Sequence, residues 1–109
     1  MRFAAAARAL SETARAQGFE APAFRSPPRV AGVTRSIRRH RDGTATVSVV
    51  VRDRPWSAVL ADMIEGVAAV NHPDSAPRLR DSLWAVLECI ELGDTDGPDA
   101  RVIDLPRVA

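Results

Sequence analysis

Residues 30–52 carry the stretch that decides the fold, VAGVTRSIRRHRDGTATVSVVVR. Asp42-Gly43 at its centre separates two segments rich in β-branched residues, a pattern typical of a β-hairpin. A two-residue turn would put the apolar residues of the two strands on opposite faces. A three-residue Arg41-Asp42-Gly43 loop with Gly43 left-handed puts them on one face. Because a one-residue slip turns every side chain to the other side of the sheet, the sequence predicts the three-residue loop.

This loop sorts the hairpin into an apolar face and a polar face. The apolar face consists of Val33, Ile37, Ala45, Val47, Val49 and Val51. The polar face consists of Thr34, Ser36, Arg38, His40, Thr44, Thr46 and Ser48. Arg35 and Arg39 fall on the apolar side, so we expect each to need an edge position or a partner.

The segment before the hairpin is predicted to be one helix and an irregular connection. Residues 2–17 place apolar side chains three and four apart, and Gly18 ends the helix. Charged and polar residues interrupt this helix, which argues against a secretory signal. Residues 19–29 contain three prolines and are predicted to be irregular, with Phe19 and Phe24 attaching them to the core.

Two more helices follow the hairpin. Pro55 suits the first turn of a helix, and a full apolar stripe extends to about Asn71. The third helix is predicted to be capped by Asp74 or Ser75 and to end at Gly93.

The sequence therefore predicts an α+β fold in the order helix, β-hairpin, helix, helix, with a small sheet packed by helices on one face. Residues 1–93 form the single domain, and residues 94–109 form an acidic tail bearing proline and glycine. Residues 100–105 in that tail are predicted as a short edge strand. Because a lone hairpin buries little, either this strand or a second subunit should extend the sheet.

The same order of elements resembles the type II KH fold of RNA-binding proteins. The resemblance is one of topology only. The loop between the last two helices, where that fold carries a GxxG motif, is Asn71-His72-Pro73-Asp74 and has no glycine. The chain is therefore not assigned to that family.

Charge is unevenly divided along the chain. All 15 basic residues are arginine. Residues 1–56 carry a net charge of +7, and residues 57–109 carry −6. Arginine forks bind phosphates and carboxylates through two hydrogen bonds, and clustering raises the local potential. The predicted polyanion-binding residues are Arg25, Arg29, Arg35, Arg38, Arg39, His40, Arg41, Arg52 and Arg54. The competing interpretation is an arginine-rich genome whose arginines are neutralised by the protein's own acidic half.

No catalytic, metal-binding or cofactor-binding residues are predicted. Asp62 and Glu65 lie three apart on the second helix, and solvent exposure accounts for them better than a cation does. Cys89 is the single cysteine, which excludes an internal disulfide and favours a cytoplasmic location. No segment is long and apolar enough to cross a membrane, so no membrane partner is expected.

Two functions from different classes remain. The first is a non-enzymatic binding module whose arginine-rich hairpin contacts a polyanion, DNA or RNA. The second is a homodimeric protein-interaction adaptor, in which hairpin edges or Trp56 and Trp84 lie between subunits and the arginines meet an acidic protein surface.

Overall fold

The computed structural model describes residues 3–27 and 33–93. The elements in chain order are α1 (Phe3–Ala16), β1 (Ala23–Arg25), β2 (Arg35–Arg39), β3 (Ala45–Val49), α2 (Trp56–Ala69), a 3₁₀ turn (Pro73–Ser75) and α3 (Ala76–Gly93). The helices pack against one face of the sheet, so the predicted α+β class is confirmed.

The hairpin has the predicted register and loop. Arg35 lies opposite Val49, Ile37 opposite Val47, and Arg39 opposite Ala45. At the turn, Gly43 has φ of +92° and donates its backbone N–H to the His40 carbonyl at 3.1 Å. The side chains of β3 are alternately buried and half-buried, so one face of the hairpin is turned to the core.

The prediction of an irregular segment at residues 19–29 is wrong for Ala23–Arg25. These residues form β1, which pairs in parallel with β3 and makes β3 the central strand. A three-residue strand next to Pro22 is too short to show the alternating pattern of a β-strand. A tertiary contact attaches β1 to α1: the Phe24 ring packs edge-on against Phe3, with ring centroids 6.5 Å apart.

β1 also supplies the extension that the hairpin needs. The sheet reaches three strands within the described residues without the tail and without a second subunit. The predicted strand at residues 100–105 lies outside the described residues, as does the rest of the tail. The order of helix, three strands and two helices departs from the one on which the KH resemblance was based.

The core lies between the sheet and the helices. Its fully buried side chains include Leu10 of α1, Val47 and Val49 of β3, Val59, Met63, Ile64 and Val67 of α2, and Leu79, Leu83 and Leu87 of α3. The apolar stripe predicted for α2 is buried, which confirms its helical period; it consists of Val59, Leu60, Met63, Ile64, Val67 and Val70.

Two helix ends depend on specific hydrogen bonds. Gly18 has φ of +84°, and the Phe19 N–H donates to the Ala14 carbonyl at 2.8 Å, which closes α1 as predicted. A 3₁₀ turn precedes α3, which begins at Ala76, directly after Ser75. His72 caps that turn, with its Nδ1 accepting from the Asp74 N–H at 3.1 Å.

Gly66 brings α2 unusually close to the central strand. A Cβ at this position would lie 2.5 Å from a methyl carbon of Val47, which is fully buried and cannot move aside. We expect Gly66→Ala to lower the free energy of unfolding by about 1–2 kcal/mol, because overpacking outweighs the better helix propensity of alanine. Urea unfolding measures this. In the Gly66→Ala, Val47→Ala double variant the loss should be smaller than the sum of the single losses, and strict additivity would contradict the close contact.

Candidate functional site

The sheet has one face that no described element covers. We call it the open face, and it consists of Ala23, Arg25, Thr34, Ser36, Arg38, His40, Thr44, Thr46 and Ser48. Residues paired directly across strands share a face, so Arg25 beside Ser48 and Arg38 beside Thr46 lie on the same surface. The open face is the polar face that the sequence predicted, enlarged by β1.

Arg25 and Arg38 flank β3 on opposite sides. Their α-carbons are about 12 Å apart, given strands spaced by about 4.8 Å and an offset of two residues. Both side chains are exposed, and so is Arg41 at the hairpin tip. Within residues 3–27 and 33–93, no carboxylate lies within ion-pair distance of Arg25, Arg38, Arg41 or Arg52. Their charges are therefore available to an outside ligand.

The other predicted hairpin arginines are used inside the protein. Arg35 donates to Asp62 at 2.8 Å, and Arg54 donates to the other oxygen of the same carboxylate at 2.6 Å. Arg39 donates to the Val70 carbonyl at 3.1 Å, and its other terminal nitrogen lies 3.9 Å from Glu20. Arg35 and Arg39 fall on the apolar side of the hairpin, where each was expected to need an edge position or a partner. Both residues have the edge position and a partner.

The predicted cluster of nine residues therefore divides into two groups. Arg35, Arg39 and Arg54 hold the sheet to α2 and are withdrawn from the candidate site. Arg25, Arg38, His40, Arg41 and Arg52 remain, and Arg29 lies outside the described residues. Sequence parity alone separates Arg38 from Arg35 and Arg39, but it does not identify Asp62 as a partner 27 positions away.

The hairpin tip carries one acid, Asp42. Its carboxylate accepts hydrogen bonds from the Thr44 N–H at 2.9 Å and from the Thr44 hydroxyl at 2.7 Å. These bonds lower the pKa of Asp42, so the group is ionised at neutral pH. Asp42 is thereby held within the turn, where it fixes the loop that presents Arg41. His40 Nε2 lies 2.8 Å from the Thr46 hydroxyl, which orients the ring along the sheet.

Solvent exposure does not account for Asp62 and Glu65, contrary to the expectation from sequence. Asp62 is shared by two arginines, and its side chain is only 13% exposed. Glu65 accepts two hydrogen bonds from Arg80 of α3, at 2.7 and 2.9 Å. Both acids therefore join elements of the fold.

The Glu65–Arg80 pair predicts a small loss of stability in acid. In the folded chain, the hydrogen bonds from Arg80 lower the pKa of Glu65 below its ordinary value of 4.5. Such a carboxylate stabilises the fold above pH 4.5, and this contribution disappears as the pH falls through the lowered pKa. Because both side chains are more than a third exposed, water screens the pair and the effect should be small. Chemical denaturation from pH 6 to pH 3 measures the free energy of unfolding of wild type and of Glu65→Gln. The difference between the two values should shrink as the pH falls. A constant difference would contradict this assignment.

Asn71 positions the segment that leads into β1, a role that its place after the apolar stripe of α2 does not reveal. Its side chain accepts from the Glu20 N–H at 2.9 Å and donates to the Glu20 carbonyl at 2.8 Å. It also donates to the Val67 carbonyl at 2.9 Å. Through these bonds the end of α2 fixes the chain that carries Arg25.

The described residues also include a cleft, an exposed cysteine and two half-buried tryptophans. The cleft between α2 and α3 has a volume of about 390 Å³ and is lined by Arg35, Glu65, Arg80 and small side chains, with no histidine or cysteine. Cys89 is exposed on α3. Among residues 3–27 and 33–93, no three histidine, cysteine or acidic side chains lie close enough together to hold a metal ion. Trp56 and Trp84 are half-buried and pack against the core, so a role for them between subunits stays a prediction.

None of the helices in the described ranges has the length and hydropathy needed to cross a bilayer. Comparisons with protein-family models, curated proteins and solved structures find no match to this chain.

Proposed function

We propose that this protein is a non-enzymatic nucleic-acid-binding module that contacts phosphates through the open face and the hairpin tip. The observation that carries the proposal is the division of the arginines. Arg35, Arg39 and Arg54 have partners within the protein, whereas Arg25, Arg38, Arg41 and Arg52 have no carboxylate partner among the described residues. Guanidinium groups without internal partners are free to bind phosphate oxygens through two hydrogen bonds.

The composition of the open face favours phosphate as the ligand group. Its members include arginine, histidine, threonine and serine, all of which donate hydrogen bonds to phosphate, and none carries a carboxylate. A negatively charged polymer therefore meets only positive or neutral side chains on this surface. The cytoplasmic location expected from the sequence is part of the same proposal.

The same face limits how bases can be recognised. Apart from the imidazole of His40, it carries no aromatic ring, because Phe24 points toward the core. Proteins that bind single strands generally stack bases on aromatic side chains. We therefore expect backbone contacts with little sequence preference, and a duplex to bind at least as tightly as its single strand.

Fluorescence anisotropy of a labelled duplex oligonucleotide across a salt series tests this function. For three or four phosphate contacts, the logarithm of the affinity should fall linearly with the logarithm of salt concentration, with a slope of about −3. The isolated single strand of the same sequence is the matched comparison. Absence of binding at low salt, or an affinity that does not depend on salt, would remove the proposed function.

A further inference from the structure

The outer edge of β2 has backbone groups that no described element pairs. β2 lies at one edge of the sheet, beside β3. The Val50 N–H donates to the Thr34 carbonyl, and the His40 N–H donates to the Thr44 carbonyl, both at 2.9 Å. Even-numbered residues of this strand thus turn their backbone groups toward β3. The N–H and C=O groups of the odd-numbered residues between them project away from the sheet, where another strand can pair with them.

Apolar side chains mark the same edge. Val33 and Ile37 are 41% and 39% exposed, and they are the large hydrophobic residues that the described part of the chain leaves exposed. Ile37 lies on the side of β2 that faces the helices, and Val33 precedes the strand at the same parity. An unpaired edge that also exposes apolar side chains is a site where another chain adds a strand.

The arginines on this edge do not block pairing. Inward-pointing charges commonly protect an edge strand from association. Here Arg35 is turned to Asp62 at 2.8 Å, and Arg39 is turned to the Val70 carbonyl at 3.1 Å. Both guanidinium groups are therefore compensated within their own chain, and the backbone between them stays accessible.

We propose that a second copy of this chain pairs with β2 in antiparallel fashion, about a two-fold axis at Ser36. Charge favours this register over its neighbours that also align the outward backbone groups, since an axis at Arg38 sets that residue against the partner subunit's Arg38. An axis at Ile37 sets Arg35 against the partner subunit's Arg39, and an axis at Arg35 sets that residue against the partner subunit's Arg35. Like charges directly opposite one another destabilise a sheet.

With the axis at Ser36, the edge is complementary to itself. Arg35 lies opposite the partner subunit's Ile37, and Val33 lies opposite the partner subunit's Arg39. Each exposed apolar side chain then packs on the aliphatic stem of an arginine. The described strands of the two subunits join into one sheet, and the two open faces become continuous. The pairing itself does not depend on the proposed nucleic-acid function.

Disulfide trapping tests this register. Ser36 lies on the axis in a pair that makes no mutual backbone hydrogen bonds, where the two β-carbons approach to about 4.5–5.5 Å. In a Cys89→Ser background, Ser36→Cys should form an intermolecular disulfide under mild oxidation. Thr34→Cys and Arg38→Cys are matched controls two residues to either side of Ser36 on the open face, and in this register their α-carbons lie about 14 Å from their counterparts. We expect Ser36→Cys to cross-link at least about tenfold faster than either control. Equal rates at the three positions would overturn the proposal.

Light scattering at high micromolar concentration gives the second readout. Ile37→Pro removes an outward-facing N–H and leaves the bonds between β2 and β3 intact, as edge-strand prolines do. Wild type should be dimeric and Ile37→Pro monomeric, with the same circular dichroism spectrum. A monomeric wild type, or an Ile37→Pro variant that is folded and still dimeric, would contradict the proposal. If a monomeric variant still binds the oligonucleotide, the proposed function stands. Failure of the dimer proposal can therefore be distinguished from failure of the nucleic-acid-binding proposal.

Discussion

Replacing Arg25 and Arg38 with alanine should weaken binding of a duplex oligonucleotide by about 10- to 100-fold at low salt, which corresponds to about 0.7–1.4 kcal/mol for each solvent-exposed phosphate contact that is lost. Neither side chain has an ion-pair partner in the described residues, and both point away from the core. The salt dependence should also become shallower, by a slope of about 1.8 for two lost phosphate contacts on duplex DNA. Fluorescence anisotropy of the same labelled duplex measures both effects.

The matched control is Arg8→Ala with Arg15→Ala. It removes the same net charge from exposed positions of α1, on the other side of the sheet from the open face. If net charge alone attracts the polymer, the two double variants will lose affinity equally. If the open face is the site, the α1 variant should keep its affinity to within about threefold and retain the wild-type salt slope. Equal losses of affinity would contradict a binding site on the open face.

Asp62→Ala should lower the free energy of unfolding by about 2–3 kcal/mol, because it leaves two arginines without their shared carboxylate. Asp62 and Arg54 are 13% and 17% exposed, so solvent replaces this interaction only in part. Arg54 also donates to the Val50 carbonyl at 2.6 Å, which ties the turn after β3 to the same network. Urea unfolding measures the loss.

Asp81→Ala provides the control for Asp62→Ala. Asp81 is exposed on α3 and has no ion pair within the described residues, so this change removes the same charge and gains the same helix propensity. We expect its stability to stay within about 0.5 kcal/mol of wild type. A loss of that small size for Asp62→Ala would mean that the carboxylate behaves as an ordinary surface acid. It would then not act as the connection between β2 and α2.

The hairpin could be predicted from patterns among residues that are close together in the sequence. Asp42-Gly43 and the alternation of valines from residue 45 determine the register, because only one loop length puts the apolar residues on one side. The stripe of α2 follows from the helical period in the same way. These features depend on residues close together in sequence.

Features that depend on distant residues could not be obtained in this way. β1 is three residues long, and its pairing is with a strand more than 20 positions away. The polyanion cluster was predicted too large for the same reason. Parity along the strand distinguishes Arg35 from Arg38, but only the packing of α2 under the hairpin shows that Asp62 is the partner of Arg35. Asn71 likewise contacts Glu20 51 positions away.

Nuclear magnetic resonance titration of ¹⁵N-labelled protein with the duplex oligonucleotide at low salt tests most directly where nucleic acid binds. We expect shifts of the arginine Nε–H signals of Arg25, Arg38 and Arg41, together with the amides of residues 44–48. Arg35 and Arg54 bind Asp62 through their terminal nitrogens, so their Nε–H signals should stay in place. Shifts confined to α1 and α3, or none at all, would contradict the open face as the binding surface.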